Sequence, residues 1–387
     1  MYSGTKMIDE PIRWGLLGGG YGSQIGYIHR SAATRDYMFD LVAGSFHEDH
    51  EKSKKFGIEL HVDPERCYPD YKTMFREEAA RPDGIQAVTI ATPNYLHYEM
   101  CVAALEYGLH VMCEKPLCFT LDEALKLEQL AKEKNRAFGI SYGYSGFPLI
   151  MQARQMVQNG DLGEIRVMNM QLAHGFHNVA MEEDDNSAKW RVTPELAGPS
   201  YVVADLGTHV LHLSEIIAPQ LKISKLLCTK QSFVKSRAPM EDNAYILMEY
   251  ESGAVSQIWS SAINSGSLCG NRIRIVGEKA SLEWISDEAN YLYYYVQGEA
   301  PRVLERGMSY LYPEALQSER NVAGNPEGFF ESWSNIYNRF GRVADALDKN
   351  QKNDLWYPNI HEGVEGVRWV ENCMRSANNG SVWVDYR

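Results

Sequence analysis

The sequence predicts an α/β protein of two domains, a doubly wound parallel sheet followed by an α+β domain with a largely antiparallel sheet. Three observations carry this. A glycine-rich turn, Gly18-Gly19-Gly20-Tyr21-Gly22, joins an apolar run to a helical pattern. Strand-like and helix-like segments then alternate as far as Tyr142. Beyond about residue 147 strands follow strands, separated by turn signals. The expected boundaries are 1–146 for the first domain and 147–387 for the second.

The first element is the run 12–18, Ile-Arg-Trp-Gly-Leu-Leu-Gly, a buried strand entering the glycine turn. A helix follows over 24–33, a strand over 41–44, a helix over 69–80, and a strand over 87–91 that ends at Thr92-Pro93-Asn94. From His97 to Tyr107 apolar residues recur at helical spacing, closed by Gly108. Leu109 to Cys113 reads as the fourth strand, 121–134 as an amphipathic helix with acidic residues in its first turn, and 138–142 as a further strand. Strict alternation of this kind forms parallel sheets, because each crossover is right-handed and carries its helix back over the sheet.

The second part opens with a helix over 151–158, stopped by Asn159-Gly160. Strands are expected over 165–172, 226–233, 244–250, 254–260 and 272–276, with a helix over 207–217 between them. Glu251-Ser252-Gly253 supplies a hairpin turn. The polar acidic run Glu182-Glu183-Asp184-Asp185 and the segment 310–325 read as loops, and Tyr291 to Tyr295 as strand packing or a subunit interface. Helices over 327–348 and 361–378 close the chain, within the second domain or packed back on the first.

Bulk properties exclude several classes. A length of 387 residues suffices for two cores. With 51 acidic against 38 basic residues the net charge is -13, which argues against nucleic acid and anionic membranes as partners. The densest basic stretch, Lys52-Ser53-Lys54-Lys55, reads as a solvated helix face. No apolar run approaches the ~20 residues of a membrane span, and the first residues lack a signal-peptide core. Seven scattered cysteines read as reduced thiols of a cytoplasmic protein. No histidine or cysteine spacing calls for a metal.

Where a first strand meets its helix, a dinucleotide fold needs glycines: one for the tight turn, one for backbone approach to the pyrophosphate. Gly18 and Gly20 fit these roles. The third position of the strict spacing is Ser23; in a longer turn it is Gly26. An acid about 20 residues on would bind the adenosine ribose and select NAD. The second strand instead ends Ala43-Gly44-Ser45-Phe46-His47. Ser45 and His47 suit a 2′-phosphate, but no arginine stands there, so NAD is favoured over NADP while both stay open.

Three further segments follow in order: Thr92-Pro93-Asn94-Tyr95-Leu96-His97, Glu114-Lys115-Pro116 and Asp205-Leu206-Gly207-Thr208-His209. With the glycine turn, this order resembles the Gfo/Idh/MocA family, which includes glucose–fructose oxidoreductase and inositol dehydrogenase. The resemblance runs over nearly the whole chain. It implies an N-terminal Rossmann domain, a C-terminal domain with a large open sheet, a tightly held nicotinamide nucleotide, no metal, and oxidation or reduction of a carbinol carbon in sugars and polyols. Lys115, Asp205 and His209 match the family's catalytic lysine, aspartate and histidine. Thr92, Pro93, Asn94 and Glu114 match residues lining its nicotinamide and ribose. Together with Gly18, Gly20, Tyr21, Ser23, Gln24, Ser45, His97, Lys115 and Trp190 they form the expected cofactor-binding set. Trp190-Arg191 matches a pair near substrate, and a cis bond before Pro116 is implied. Two departures bear on substrate choice: the longer glycine turn, and Tyr142-Gly143-Tyr144-Ser145-Gly146-Phe147 where many members carry an Asn-x-Arg-Phe-like segment.

The residues themselves suit that chemistry. Oxidising a secondary alcohol needs a base for the hydroxyl proton, and an imidazole such as His209 titrates near neutral pH. Asp205 is expected at the cap of the following helix, where it would orient His209 or a substrate hydroxyl. Lys115 would stabilise developing alkoxide charge. Lys115, Tyr144, Arg191, Asp205 and His209 are the expected substrate contacts. Taken singly, each has a plainer reading: a packed histidine, a helix cap, a surface lysine. His174 and His177 read as core or substrate-pocket packing rather than ligands, and Tyr142 and Tyr144 as candidate pocket walls. The expected activity is hydride transfer between NAD(P) and a sugar, inositol or similar polyol, in a homodimer or homotetramer. Two alternatives are an NAD-dependent glycosidase using transient internal redox, and a non-catalytic nucleotide-binding regulator.

Overall fold

A computed structural model describes residues 6–180, 182 and 189–387. The chain divides into two compact units, one running to Gly143 and adding Phe330–Val364, the other comprising Tyr144–Phe329 and Glu365–Arg387.

The first unit is built on a five-stranded parallel sheet of order β2-β1-β3-β4-β5. Its strands are β1 (Ile12–Gly18), β2 (Phe39–Ser45), β3 (Ala87–Ala91), β4 (His110–Cys113) and β5 (Phe138–Ile140). Every residue of β3 and β4 is buried, as expected of parallel strands covered on both faces. Helices α1 (Gln24–Thr34), α2 (His50–Glu59), α3 (Tyr71–Ala79), α4 (His97–Glu106) and α5 (Leu121–Lys134) cross between them. The α5 start is fixed by a capping box, Thr120 with Glu123, and its end by Asn135 at φ 53°. The helix Phe329–Asp348 supplies the last cover: Trp333, Tyr337 and Phe340 are buried along it.

The second unit holds a nine-stranded sheet of order β13-β12-β11-β10-β6-β9-β8-β7-β14. The strands are β6 (Ile165–Ala173), β7 (Ile223–Gln231), β8 (Asn243–Tyr250), β9 (Val255–Ser261), β10 (Asn271–Gly277), β11 (Ala280–Ile285), β12 (Tyr291–Val296), β13 (Arg302–Glu305) and β14 (Val384–Asp385). All pairings are antiparallel except β6 with β9. In β8, Ala244, Ile246 and Met248 are buried while Tyr245 and Leu247 stand out, the alternation of a sheet with one covered face. Helix α6 (Pro148–Gln158) packs on β11 and β12 and the helix Thr208–Ile217 on β6 and β10, while Trp369 of the helix Ile360–Asn378 meets Met248 of β8.

The tyrosine run 291–295 is strand β12, as its strand-packing reading expected, and β11 and β13 flank it. One expectation needs correction. Segment 310–325 is not a plain loop: it holds the helix Pro313–Gln317. The buried Arg306 organises its far end, donating to the carbonyls of Asn321, Val322 and Asn325 and to Glu327. No spacing in the sequence announces a single guanidinium as the organiser of a loop.

Candidate functional site

The glycine turn is built by close approach. Gly18 and Gly19 adopt φ of 73° and 67°, open to glycine at little cost. A Cβ on Gly18 would lie 2.5 Å from the Ala91 carbonyl oxygen, and one on Gly20 2.5 Å from that of Phe46. On Gly26 it would lie 2.2 Å from the Gly19 oxygen. Gly26 is therefore the glycine that lets α1 lie against the turn, and the turn is longer than the strict motif. Ser23 caps α1 instead, its Oγ accepting from the Gly26 N–H at 3.1 Å. The open N–H groups at this end of α1, from Gln24 on, and its positive pole fit a pyrophosphate. Arg30 braces the turn from behind, donating to Gly19 O at 2.6 Å with its guanidinium over Phe56. Tyr21 is half exposed, edge-on to Phe56; its bond to Glu59 pushes its pKa up to about 12.

At the end of β2, Ser45 is half-buried. Asp49 spends its carboxylate on capping α2, accepting from the N–H groups of Glu51 and Lys52. His47 Nδ1 accepts from the Asp49 N–H at 2.8 Å.

The ends of β3 and β4 are tied together. His97 is fully buried, with Nε2 2.9 Å from Thr92 O and Nδ1 3.0 Å from Pro116 O. Burial opposes charge on this ring, but the Cys113 sulfur and the two carbonyls outweigh it and carry its pKa up to about 9. With a carbonyl on either side, His97 fastens the Thr92-Pro93-Asn94 loop to the Lys115-Pro116 corner rather than offering an edge to a ligand. The Lys115–Pro116 peptide is cis. Glu114, in the same corner, is almost fully buried. Burial would raise its carboxyl, but the hydrogen bond from His29, with the Lys115 charge and Ser141, holds it below the usual carboxylate value. Tyr142 is buried in this unit as packing.

In the second unit Asp205 and His209 sit on one continuous helical stretch, where a π-turn over Val203–Gly207 runs into the helix Thr208–Ile217. The cap expected at Asp205 is absent. The stretch starts earlier, where Ser200 Oγ accepts from the Ala204 N–H and Glu241 accepts from the Val203 N–H and the Ser200 hydroxyl. Asp205 lies inside the π-turn, its own N–H bonded to Tyr201 O at 2.8 Å. π-turns are rare and cluster at functional sites, where they re-aim side chains. Asp205 Oδ2 is 3.7 Å from Arg191 Nε, with the two side chains 26% and 35% exposed. Arg191 stacks over Trp190 at 4.6 Å. The His209 ring meets Tyr144 edge-on at 5.1 Å, and the Tyr144 hydroxyl reaches Cys269 Sγ at 3.1 Å.

His177 belongs to the same cluster, a residue the sequence left as packing. Its Nδ1 bonds the Tyr201 hydroxyl. Burial, then the charges of Arg191 and Arg237, lower its pKa against the opposing pull of Asp205 and Glu182, so it stays neutral near pH 7. The buried Arg237 holds the approach to this cluster, donating to His177 O at 2.7 Å, Val179 O at 2.5 Å and Glu182 Oε1 at 2.9 Å. Glu182 is thus an ion-pair partner rather than an exposed loop residue; Glu183, Asp184 and Asp185 lie outside the described residues. Among the described residues no group of three or more His, Cys, Asp or Glu is arranged to hold a metal, and no helix is long and apolar enough to cross a membrane.

Residues 12–142 match the oxidoreductase family's NAD-binding Rossmann fold, and residues 154–386 its C-terminal alpha/beta domain. The uncharacterised oxidoreductase YfiI of Bacillus subtilis is 51% identical over 392 residues, spanning all of both chains. An inositol dehydrogenase homologue from Azotobacter vinelandii complexed with NAD⁺ superposes over all of both chains with a TM-score of 0.98 at 57% identity. The structure of such a homologue from the same organism with NADH and myo-inositol gives 0.95 at 56% identity, again over all of both chains.

Proposed function

The chain belongs to this family, Gfo/Idh/MocA, and from that premise we propose that it is an NAD-dependent dehydrogenase oxidising a secondary alcohol of an inositol or a closely related polyol. The observation that carries the reading is the likeness, over the whole chain and at 56% identity, to the Azotobacter homologue complexed with NADH and myo-inositol.

Bound NAD supplies the hydride acceptor. This chain supplies the rest. Lys115 hydrogen-bonds the reacting oxygen and stabilises alkoxide charge as it develops. His209 takes the hydroxyl proton on its imidazole. Asp205, paired with Arg191, orients the hydroxyls beside the reacting carbon. The turn of Gly18, Gly20 and Gly26 with Ser23 and Gln24 holds the pyrophosphate, and the Thr92-Pro93-Asn94 loop with Glu114 faces the nicotinamide. NAD rather than NADP is favoured because no arginine stands beside Ser45 and His47 at the end of β2. Self-association through the open sheet face, where Tyr245, Leu247 and Val255 are exposed, completes the reading as a homo-oligomer.

The test is nicotinamide absorbance with purified protein, NAD⁺ and NADP⁺ offered separately against inositols, aldoses, sugar acids and glycosides. Steady NAD⁺ reduction with an inositol is expected. Release of an aglycone without net cofactor change would replace the reading with the internal-redox glycosidase, and tight NAD binding with no turnover would replace it with the regulator.

A further inference from the structure

A chain of four hydrogen bonds runs through the first unit and ends on Glu114. The Trp14 indole Nε1 donates to Thr89 Oγ1 at 3.0 Å. Thr89 Oγ1 and the Tyr337 hydroxyl are 2.8 Å apart. The Tyr337 hydroxyl is 2.6 Å from His29 Nδ1, and His29 Nε2 is 3.0 Å from Glu114 Oε1. Trp14, Thr89, Tyr337 and His29 are each at most 1% exposed. The Trp333 ring stands edge-on to His29 at 4.9 Å and closes its side.

The two ends fix the direction of the links they make themselves. An indole nitrogen only donates and a carboxylate only accepts. A neutral His29 then carries its proton on Nε2 and donates it to Glu114, which leaves Nδ1 to accept from Tyr337 and Tyr337 to accept from Thr89. Four links use four protons. A doubly protonated His29 would donate at both nitrogens and leave one hydroxyl proton of the chain without an acceptor, a costly outcome at this depth. Beyond His29, the Lys115 N–H points between Glu114 Oε2 and Ser141 Oγ, both at 3.2 Å. The chain thus reaches the backbone of the lysine itself.

We propose that His29 is a positioning residue for the Glu114–Lys115 corner, its tautomer locked by the one-way chain that begins at Trp14. The role of that corner rests on the dehydrogenase reading above. Tyr337 is the lock: without its hydroxyl, Nδ1 loses its donor and can take up a proton. The titratable groups facing His29 are Glu114 and Tyr337, with Lys115 beyond Glu114. Ser141, which hydrogen-bonds Glu114, does not titrate in the working range.

Three variants test this: Tyr337→Phe, His29→Leu and His29→Gln. Tyr337→Phe and His29→Leu are expected to lower kcat about 10- to 100-fold, as loss of a group orienting a first-contact residue does, with the KM for the polyol little changed. His29→Gln keeps a donor toward Glu114 and recovers most of that loss. Tyr337→Phe alone adds a new acid limb to the kcat/KM profile near neutral pH, since only it leaves an imidazole free to protonate. NMR of labelled histidine reads the same lock without a substrate: a single Nε2–H tautomer for His29 in the wild type, a mixture or imidazolium in Tyr337→Phe. If all three variants lose only thermal stability and keep the wild-type pH profile, NAD⁺ affinity and His29 tautomer, the positioning role is overturned. If the wild type turns over no polyol, NAD⁺ affinity and the tautomer still decide the matter, separately from the dehydrogenase reading.

Discussion

The Glu114–Lys115 corner and the Asp205–His209 turn are held in contrasting ways. The corner stands where two parallel strands end, and its acidic member is almost fully buried. Sheet register and a hydrogen-bond chain from four other elements set its geometry. The turn stands on a π-helical irregularity, with Asp205 and Arg191 about a quarter to a third exposed. Its nearest partners come from the separate segments carrying Tyr144, His177, Arg191 and Tyr201. On the proposed dehydrogenase reading the corner meets the same cofactor in every turnover, which a rigid frame serves. On that reading the turn sorts one polyol from another, from irregular backbone that one substituted neighbour re-aims.

Predictions can break or sharpen that contrast. The largest effect is expected at the groups of the proposed mechanism: Lys115→Ala and His209→Ala should each lower turnover by at least ~100-fold. Near-normal kcat in both would remove the mechanism from both regions. Next comes the rigid frame of the first unit. Gly26→Ala drives a Cβ to within 2.2 Å of the Gly19 oxygen and is expected to cost about 1–3 kcal/mol in thermal or denaturant unfolding, with weaker NAD binding by calorimetry. Gly22→Ala in the same turn meets nothing within 4 Å and suffers only its φ of 75°, about 1–2 kcal/mol. Equal losses of NAD affinity in the two would contradict the close-approach account.

A further effect is a pH dependence in the second unit. Burial, then Arg154, pushes the pKa of the fully buried His212 down to about 3 from 6.5. The unfolded chain binds that proton below pH 6.5 and the folded chain does not until about 3. Stability is therefore fully present above pH 6.5 and is lost progressively as the pH falls through this window. The Tm of His212→Leu should fall less steeply than that of the wild type between neutral pH and pH 4; parallel curves would refute the assignment.

Much of the first unit was legible because its rules are local. Strand and helix periods, the glycines at 18 and 20, and the lysine after β4 all declare themselves within a few residues. The third glycine stayed open between positions 23 and 26, since only the approach of α1 to Gly19 decides it. The Asp205 cap was misread for a related reason. An aspartate ahead of a helical pattern is the ordinary signal for a cap, and nothing local reveals that Ser200 and Glu241 already cap an earlier start. His177 gave no signal, because its partners Tyr201, Arg191 and Arg237 lie 24, 14 and 60 residues away in the numbering.

By itself, then, the sequence determined the class of sheet in each unit, the nucleotide turn, and the order of lysine, aspartate and histidine, because periodicity and turn chemistry are properties of neighbours along the chain. The tertiary structure alone decided which distant residues stand behind them. His29 and Tyr337 lie 308 positions apart, yet one hydrogen bond between them sets a tautomer. Burial makes an unpaired polar atom costly, so the folded surroundings, rather than the residue type, choose each group's partner.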